Sequence, residues 1–381
     1  MNNKIDSNWE KTLSDYTKTL LGIPKSSTPD DAFQALLVGT TNKAYRVKVQ
    51  YPDGTPAIGY TVGGIEALPT TSLVTDSTGT VLGKSESETP TITVEKKYDD
   101  VKAASVTAQS VGTITNVVIT LEYDEDVVTV TSSINTTLNI SPKCTGIDYL
   151  LAGGGGGCGA VAKNNALNTE CQVSGGGAGG GGYSEQGTIS NPENGATFAI
   201  TVGSGGAKNS NGKNGGTTSL SLKGSIIASA AGGNGGKSAT YTITAVTSST
   251  NRYDGTGGTG GTGNGNGGNG ASNWVSVYTD PKDDDTEWSG GGNTSAAASG
   301  TEGSTVTFHG VPYEIGGGGG GCGGMYNSNG YSNGIRYPNH GTSQAKNIGG
   351  GGGYNGGNYS TSGASAASAG NAGRAFYAYV H

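Results

Sequence analysis

Apolar and polar residues alternate in several short stretches between residues 44 and 94. Between Ala44 and Tyr51 nearly every second residue is apolar, and the turn at 52–55 follows. Further short apolar stretches lie at 59–62, 72–75 and 91–94. A period of two is typical of half-buried β-strands. The pattern predicts a small all-β domain over residues 41–111.

Near the start of the chain, the apolar residues have the spacing of helices, and two short helices are predicted there. The second of them has Thr28 as its N-cap, Pro29 at the first helical position and Asp31 in a capping box, and it ends near Gly39. We interpret residues 1–40 as a helical attachment or oligomerisation segment, with a homotrimer as the favoured state. The first helix would present one apolar face, formed by Trp9, Leu13, Tyr16 and Leu20.

Strand-like segments between 111 and 141 lead without a linker into a region of glycine runs, and we therefore assign residues 112–381 to one glycine-rich domain. Apolar segments alternate with the runs, whereas a flexible linker would have little apolar content to bury. Without Cβ atoms, the runs can form polyglycine-II helices, with three residues per turn, that pack closely. The runs are 153–157, 175–182, 232–236, 316–321 and 349–353.

The stretch 255–263 repeats Gly-Thr-Gly three times. In a helix with three residues per turn, this repeat places Thr256, Thr259 and Thr262 on one edge. The overall prediction is a mainly β protein. It has short N-terminal helices, an immunoglobulin-like β-sandwich and a C-terminal sandwich of polyglycine-II helices.

Composition and charge narrow the classes of partner. The 381-residue chain carries a net charge of −7, and no basic patch appears that could neutralise a nucleic-acid backbone. The first residues lack the pattern of a signal peptide, and no apolar stretch could span a bilayer. We expect synthesis in a cytoplasm, no membrane insertion, and a final location in an exterior particle that is released by lysis.

The four cysteines, Cys144, Cys158, Cys171 and Cys322, lack the spacing of a zinc site. Cys158 and Cys322 each follow a glycine run, which favours small buried residues in a crowded layer. A disulfide such as Cys158 with Cys171 stays open, because four cysteines allow three pairings.

No motif predicts catalysis, a metal or a cofactor. Residues 231–238 read Ala-Gly-Gly-Asn-Gly-Gly-Lys-Ser, which formally matches a relaxed phosphate-binding loop, but a β-branched stretch follows where a helix is needed. The acidic run 283–285 lacks calcium-loop spacing. His309, His340 and His381 belong to no recognisable triad or metal pattern. We therefore expect a non-enzymatic protein.

Two stretches carry resemblances to known families. Residues 42–105, with the Tyr-Pro-Asp-Gly-Thr-Pro turn at 51–56, resemble the immunoglobulin-like carboxypeptidase-regulatory family. The block 148–157 and the later 199–206 and 215–220 resemble the glycine-rich C-terminal domains of bacteriophage tail fibres and tip adhesins. The second resemblance implies a polyglycine-helix sandwich whose loops contact the host surface. Unlike a separate tip protein, this chain carries its own N-terminal domains, which favours an integral fibre or receptor-binding protein.

The segments between the glycine runs combine aromatic residues with Asn and Ser. Rigid amphipathic rings give contact area at low entropic cost, and they suit sugar rings as well. The alternative is that each ring only fastens its loop to a small core. The candidate receptor-binding residues are Tyr241, Tyr253, Trp274, Tyr278, Trp288, Tyr326, Tyr331, Tyr337 and Tyr359.

These features together predict a phage tail fibre or receptor-binding protein that attaches to the bacterial host. Its partners would be a surface glycan or an outer surface protein, together with other tail or baseplate proteins. One alternative is a purely structural fibre or baseplate component. Another is an ice-binding protein, since packed polyglycine helices with a threonine edge suit ice, although three threonines make a short edge.

Overall fold

The structure is a computed structural model, which describes residues 43–68, 71–111, 114–164, 171–208, 211–246, 250–279, 286–293, 295–322, 343, 347–354 and 368–381. Within these ranges the chain forms β-strands and no helix, which confirms the mainly β prediction. The predicted N-terminal helices, with Trp9, Leu13, Tyr16 and Leu20, lie outside the described residues. No membrane-spanning helix is found among the residues that are described.

The described strands divide between two compact units. The first unit holds β1 (Lys43–Gln50), β2 (Val62–Gly63), β3 (Glu66–Ala67), β4 (Thr80–Ser85), β5 (Thr91–Val94), β6 (Ala104–Thr107) and β7 (Ile114–Thr120). The second holds β8 (Val128–Val130), β9 (Ile134–Thr137), β10 (Gly146–Ala152), β11 (Ala162–Asn164), β12 (Cys171–Ser174), β13 (Ser184–Ser190), β14 (Thr197–Thr201), β15 (Thr218–Leu222), β16 (Ser225–Ala230), β17 (Thr240–Ala245), β18 (Thr250–Thr256), β19 (Asn273–Thr279), β20 (Thr286–Asn293), β21 (Ser304–Phe308), β22 (Val311–Ile315) and β23 (Arg374–Val380).

Two sheets form the first unit, with orders β3-β4-β1-β7 and β2-β5-β6. Their inward-facing residues share one core, because alternate side chains of each strand point to the same face. Tyr45, Tyr60 and Ile92 are fully buried there.

The boundary predicted near residue 112 differs from the structure. Strand β7 pairs in parallel with β1, from Ala44 opposite Ile114 to Gln50 opposite Thr120. Its inward residues Val117 and Ile119 belong to the first core. The first unit therefore runs to Glu125 and also includes Asn139–Cys144 and His381. The apolar alternation of 117–121 predicted a strand correctly, but alternation does not reveal which neighbour a strand pairs with.

A buried carboxylate lies at the centre of a polar cluster in the first unit. Asp100 is fully buried. It accepts hydrogen bonds from the Ser141 backbone N–H (2.7 Å) and hydroxyl (2.6 Å), and it lies 3.0 Å from Nε2 of His381. The His381 ring stacks on Tyr123 at a centroid distance of 3.8 Å. Burial by itself raises the pKa of Asp100, but hydrogen bonds from His381 and Ser141 together outweigh it, so that the pKa is lowered.

In the second unit, two four-stranded sheets have the orders β13-β10-β23-β8 and β16-β15-β14-β9. The hairpin β21–β22 packs on the first of them, where Leu150, Phe308, Ile315 and Phe376 form a buried cluster. Its turn places His309 and Gly310 at positive φ, 46° and 77°. Such hairpin turns need a left-handed conformation at both central residues. These strands cover one end of the glycine-rich part of the unit.

The glycine runs form extended segments with neither helix nor strand assignment. We number the glycine-rich segments in chain order. They are segments I (153–159), II (175–182), III (203–208), IV (211–217), V (231–238), VI (256–263), VII (264–272), VIII (295–303), IX (316–322), X (349–354) and XI (368–373).

Backbone hydrogen bonds join these segments into three rows, which we call the glycine lattice. The middle row is III-I-II-VII, flanked by IV-V-VI on one side and XI-X-IX-VIII on the other. Segment I is bonded to segments II, III, IV, V, X and XI, which makes six neighbours. Segments I, II and IX are buried along almost their whole length. Paired backbone groups thus fill an interior that contains few side chains.

The bonding repeats every three residues. Gly154 and Gly157 donate to segment IV, Gly155 and Cys158 to segment XI, and Gly156 and Gly159 to segment II. A Cβ atom at Gly156 would lie 2.1 Å from the Asn234 carbonyl oxygen, a distance that real Cβ contacts do not show. Glycine is required here by contact distance and not by an unusual backbone angle.

Candidate binding surface at the loop end of the glycine lattice

The glycine lattice has two different ends. At one, the segments continue into the strands β10, β13–β16 and β21–β23, and we call this the strand end. At the other, the segments continue into β11–β12 and β17–β20, and we call this the loop end. The described residues at the loop end include Gly159, Gly175, Ser238, Ser272, Ser295, Cys322, Tyr354 and Ser368.

Hydrogen bonds hold the residues of the loop end in fixed positions. The Ala239 N–H donates to the Ala160 carbonyl, and the Ala271 N–H donates to the Cys322 carbonyl, both at 2.9 Å. The Tyr354 hydroxyl donates to the Gly159 carbonyl. Tyr354 is 1 % exposed and packs with Cys158 and Cys322. The bases of the loops are therefore built into the lattice.

The structure places the described parts of three variable segments at this one end. Segments 160–174, 237–254 and 271–289 connect neighbouring lattice segments there. Among the described residues that border the other two variable segments, Cys322, Tyr354 and Ser368 lie at the loop end, and Ile348 lies at the strand end, where it bridges Ile315. Segment 184–194 lies at the strand end, as β13 and its following turn.

A four-stranded antiparallel sheet, ordered β17-β18-β19-β20, extends from the loop end. Thr242 and Trp274 both lie opposite Asp254 on the central strand β18, while Tyr241 lies opposite Gly255. Alternate residues of a strand point to opposite faces, so Arg252, Asp254 and Trp274 share one face. Tyr241 and Tyr253 share the other.

The face with Trp274 combines an aromatic ring with charged groups. The Arg252 guanidinium lies 4.9 Å from the centre of the half-buried Trp274 ring, which is cation–π geometry. Arg252 Nε donates to Asp254 Oδ1 at 2.8 Å, and both side chains are about two-fifths exposed. Indole, guanidinium and carboxylate together offer stacking area, hydrogen-bond donors and acceptors to a ligand. Sequence reasoning missed Arg252, because its contact with Trp274 depends on strand register.

The opposite face presents Tyr241, whose side chain is 38 % exposed. Tyr253 is only 5 % exposed and lies 6.1 Å from Tyr241, ring centre to ring centre. Of the two tyrosines, only Tyr241 is open to solvent, and Tyr253 supports it. Tyr278 and Trp288 lie in β19 and β20, on the same sheet. Tyr326, Tyr331, Tyr337 and Tyr359 lie outside the described residues.

The Gly-Gly-Lys-Ser motif at 235–238 forms no phosphate-binding cradle. Its backbone N–H groups are all used within the lattice: Gly236 and Lys237 donate to carbonyls, and Gly235 and Ser238 to the side chains of Asn214 and Asn211. A phosphate loop needs free N–H groups that point at the ligand. In the part of the chain that the structure describes, no cluster of metal-ligating residues occurs either.

In the structure Cys158 takes part in no disulfide. Cys158 is fully buried, its Sγ lies 3.0 Å from the Ser368 carbonyl oxygen, and burial raises the pKa of its thiol to about 11.

We predict that Cys158 resists alkylation at pH 8 in the native protein and reacts fully in denaturant, because the thiolate is the reactive form. Peptide mapping after iodoacetamide treatment measures this, and rapid native labelling would contradict it.

Comparison with known families identifies one match. The family model described as "Glycine-rich domain" matches residues 130–380, which spans the second unit from the end of β8 to β23. A search of the curated proteins finds no match.

Proposed function

The chain belongs to the glycine-rich domain family, and we propose that it is a host-attachment protein of a phage tail or phage-tail-like particle. In this proposal the loop end of the glycine lattice contacts a glycan or protein on the bacterial surface. The protein acts by binding, without catalysis or a cofactor. Its place is the virion tail or an extracellular particle of the same construction.

The glycine-rich segments are, in this proposal, polyglycine-II helices. The threefold repeat of the hydrogen bonds and the six neighbours of segment I are what such helices produce when they pack side by side. Exposure follows the same period in segment VI, where Thr256, Thr259 and Thr262 face solvent and Gly258 and Gly261 are buried. Backbones that pack this closely make a stiff support.

The observation that carries the functional proposal is the convergence of segments 160–174, 237–254 and 271–289 on one end of that support. Recognition sites are commonly loops held by a rigid scaffold. A stiff base also lowers the entropy lost when a loop binds. The exposed Tyr241, with Trp274 and Arg252 behind it on the same sheet, fits recognition by stacking and hydrogen bonds.

The remaining parts of the chain complete the proposal. Residues 1–40 would dock onto other tail or baseplate proteins and form a homotrimer. The first unit, with two sheets around one core, would be an immunoglobulin-like spacer. A trimer would present three loop ends, so that weak single contacts add up to firm attachment.

Alanine substitution tests the proposal. We predict that the double variant Tyr241→Ala, Trp274→Ala reduces binding of the full-length protein to host cells by at least about thirtyfold, since a central aromatic contact contributes about 2 kcal/mol or more. Flow cytometry with labelled protein on a panel of bacterial strains measures the loss. Tyr183→Ala is the matched control, because Tyr183 is 43 % exposed but lies at the strand end.

Three outcomes would count against the proposal. If the folded protein bound no strain in a broad panel, attachment would be excluded as its role. If it bound cells and the double variant bound equally well, the sheet would not be the binding surface. Incorporation into particles without any effect on adsorption would favour the purely structural alternative.

The structure lends no support to ice binding, because the exposed Lys237 interrupts the surface beside the threonine edge.

A further inference from the structure

Three exposed lysines lie on neighbouring segments of the glycine lattice. Lys208 is in segment III, Lys213 in segment IV and Lys237 in segment V, and all three side chains are exposed. Among the described residues, none of the three takes part in an ion pair or a side-chain hydrogen bond. By contrast, Lys223 pairs with Glu193 at the strand end. Within the part of the chain that the structure describes, no ion pair therefore offsets the charges of the three lysines.

Lattice bonding places these lysines close together. The Lys213 N–H donates to the carbonyl of Ala207, which precedes Lys208, and the Lys213 carbonyl accepts from Gly157. The carbonyl of Gly157 accepts in turn from Gly236, which precedes Lys237. Lys213 therefore takes part in this series of backbone hydrogen bonds, and Lys208 and Lys237 each follow a residue that does. All three belong to the half of the lattice nearer the loop end.

The stretch of sequence that contains the three lysines has no acidic residues. From Gly195 to Tyr253 the chain has no Asp or Glu, although the whole protein has a net charge of −7. Lattice contacts occupy the nearby asparagines, since Asn211 and Asn214 accept backbone hydrogen bonds. A positive patch that persists on an acidic protein attracts anions locally.

We propose that Lys208, Lys213 and Lys237 bind the phosphate or carboxylate groups of an anionic polysaccharide on the bacterial surface. This inference rests on the proposed attachment function and specifies the chemistry of its partner. The lysines are spread over three segments and not gathered in a pocket, which fits charges repeated along a polymer. The backbone N–H groups of the motif at 235–238 are already used within the lattice. The lysine ammonium groups would therefore contact the anion without them, each as a point charge.

The experiment compares phosphorylated dextran with the same neutral dextran, each immobilised for surface plasmon resonance with the full-length protein. We expect binding to phosphorylated dextran only, and weaker binding as salt screens the charges. The triple variant K208Q/K213Q/K237Q keeps the side-chain stems and should lose at least about tenfold in affinity. The matched control K223Q, at the strand end, should stay within about twofold.

Three results would overturn the inference, and a fourth would reject the attachment function separately. Equal binding to neutral dextran, or an unchanged affinity of the triple variant, would show that the cluster does not recognise anions. Tighter binding to duplex DNA or to anionic lipid vesicles would assign the cluster to another partner. On host cells, equal attachment by wild type and triple variant would reject this inference and leave the attachment function standing. Failure of the wild type to attach would reject attachment, while the dextran comparison would still decide the anion site.

Discussion

Replacing Gly156 by alanine should destabilise the second unit by more than about 3 kcal/mol. The new Cβ would lie 2.1 Å from the Asn234 carbonyl oxygen and 2.4 Å from its carbonyl carbon. Overpacking commonly costs about 1–3 kcal/mol when side chains can move aside. Here the obstacle is backbone already bonded to segments II and VI. Relief would require segments I and V to separate and their hydrogen bonds to break.

Urea unfolding, with hydrogen exchange of peptides covering 153–159, would measure this loss in the relevant unit. Thr259→Ala is the control, because Thr259 is on the exposed edge of segment VI and its side chain has no partner among the described residues. We expect the control to stay within about 0.5 kcal/mol of wild type. If Gly156→Ala were equally mild, the segments would not pack as closely as the structure has them.

The glycine pattern predicts much of this architecture, because glycine runs interrupted by apolar segments leave few ways to bury backbone. The positions of runs such as 153–157 and 316–321 correspond to segments I and IX. The row order could not be predicted. Glycines have no side chains that distinguish one neighbour from another, so which run contacts which depends on the connecting strands and loops.

The candidate site was predictable as a set of segments but not as a surface. Aromatic and polar composition identified the segments that carry Tyr241 and Trp274, whereas their pairing in one sheet and the burial of Tyr253 depend on strand register. The lysine cluster was missed because Lys213 and Lys237 are far apart in sequence, and only the pairing of segments IV and V brings them together. The absence of acidic residues from 195 to 253 was the one sequence signal that could have indicated it.

In the first unit, Asp100→Ala should cost about 3 kcal/mol or more. Asp100 is fully buried and accepts from the Ser141 N–H and hydroxyl, with His381 Nε2 at 3.0 Å. Its removal would leave these buried donors without an acceptor, which is more costly than the loss of a surface bond. Glu125 lies 3.6 Å from Nδ1 of His381, on the other side of the ring, and is largely exposed, so it would compensate little. Hydrogen exchange of β1 peptides reports the stability of this unit.

The same carboxylate should make the first unit sensitive to acid. Because the folded-state pKa of Asp100 is lowered, its contribution to stability is complete above the unfolded-state pKa of about 3.9 and is lost as the pH falls from there through the folded-state value. The isosteric variant Asp100→Asn has no carboxylate to titrate. Exchange protection of β1 should therefore fall less steeply below pH 4 in this variant than in wild type. Parallel pH profiles would show that other carboxylates govern acid unfolding and that the polar cluster holds Asp100 less firmly than its hydrogen bonds indicate.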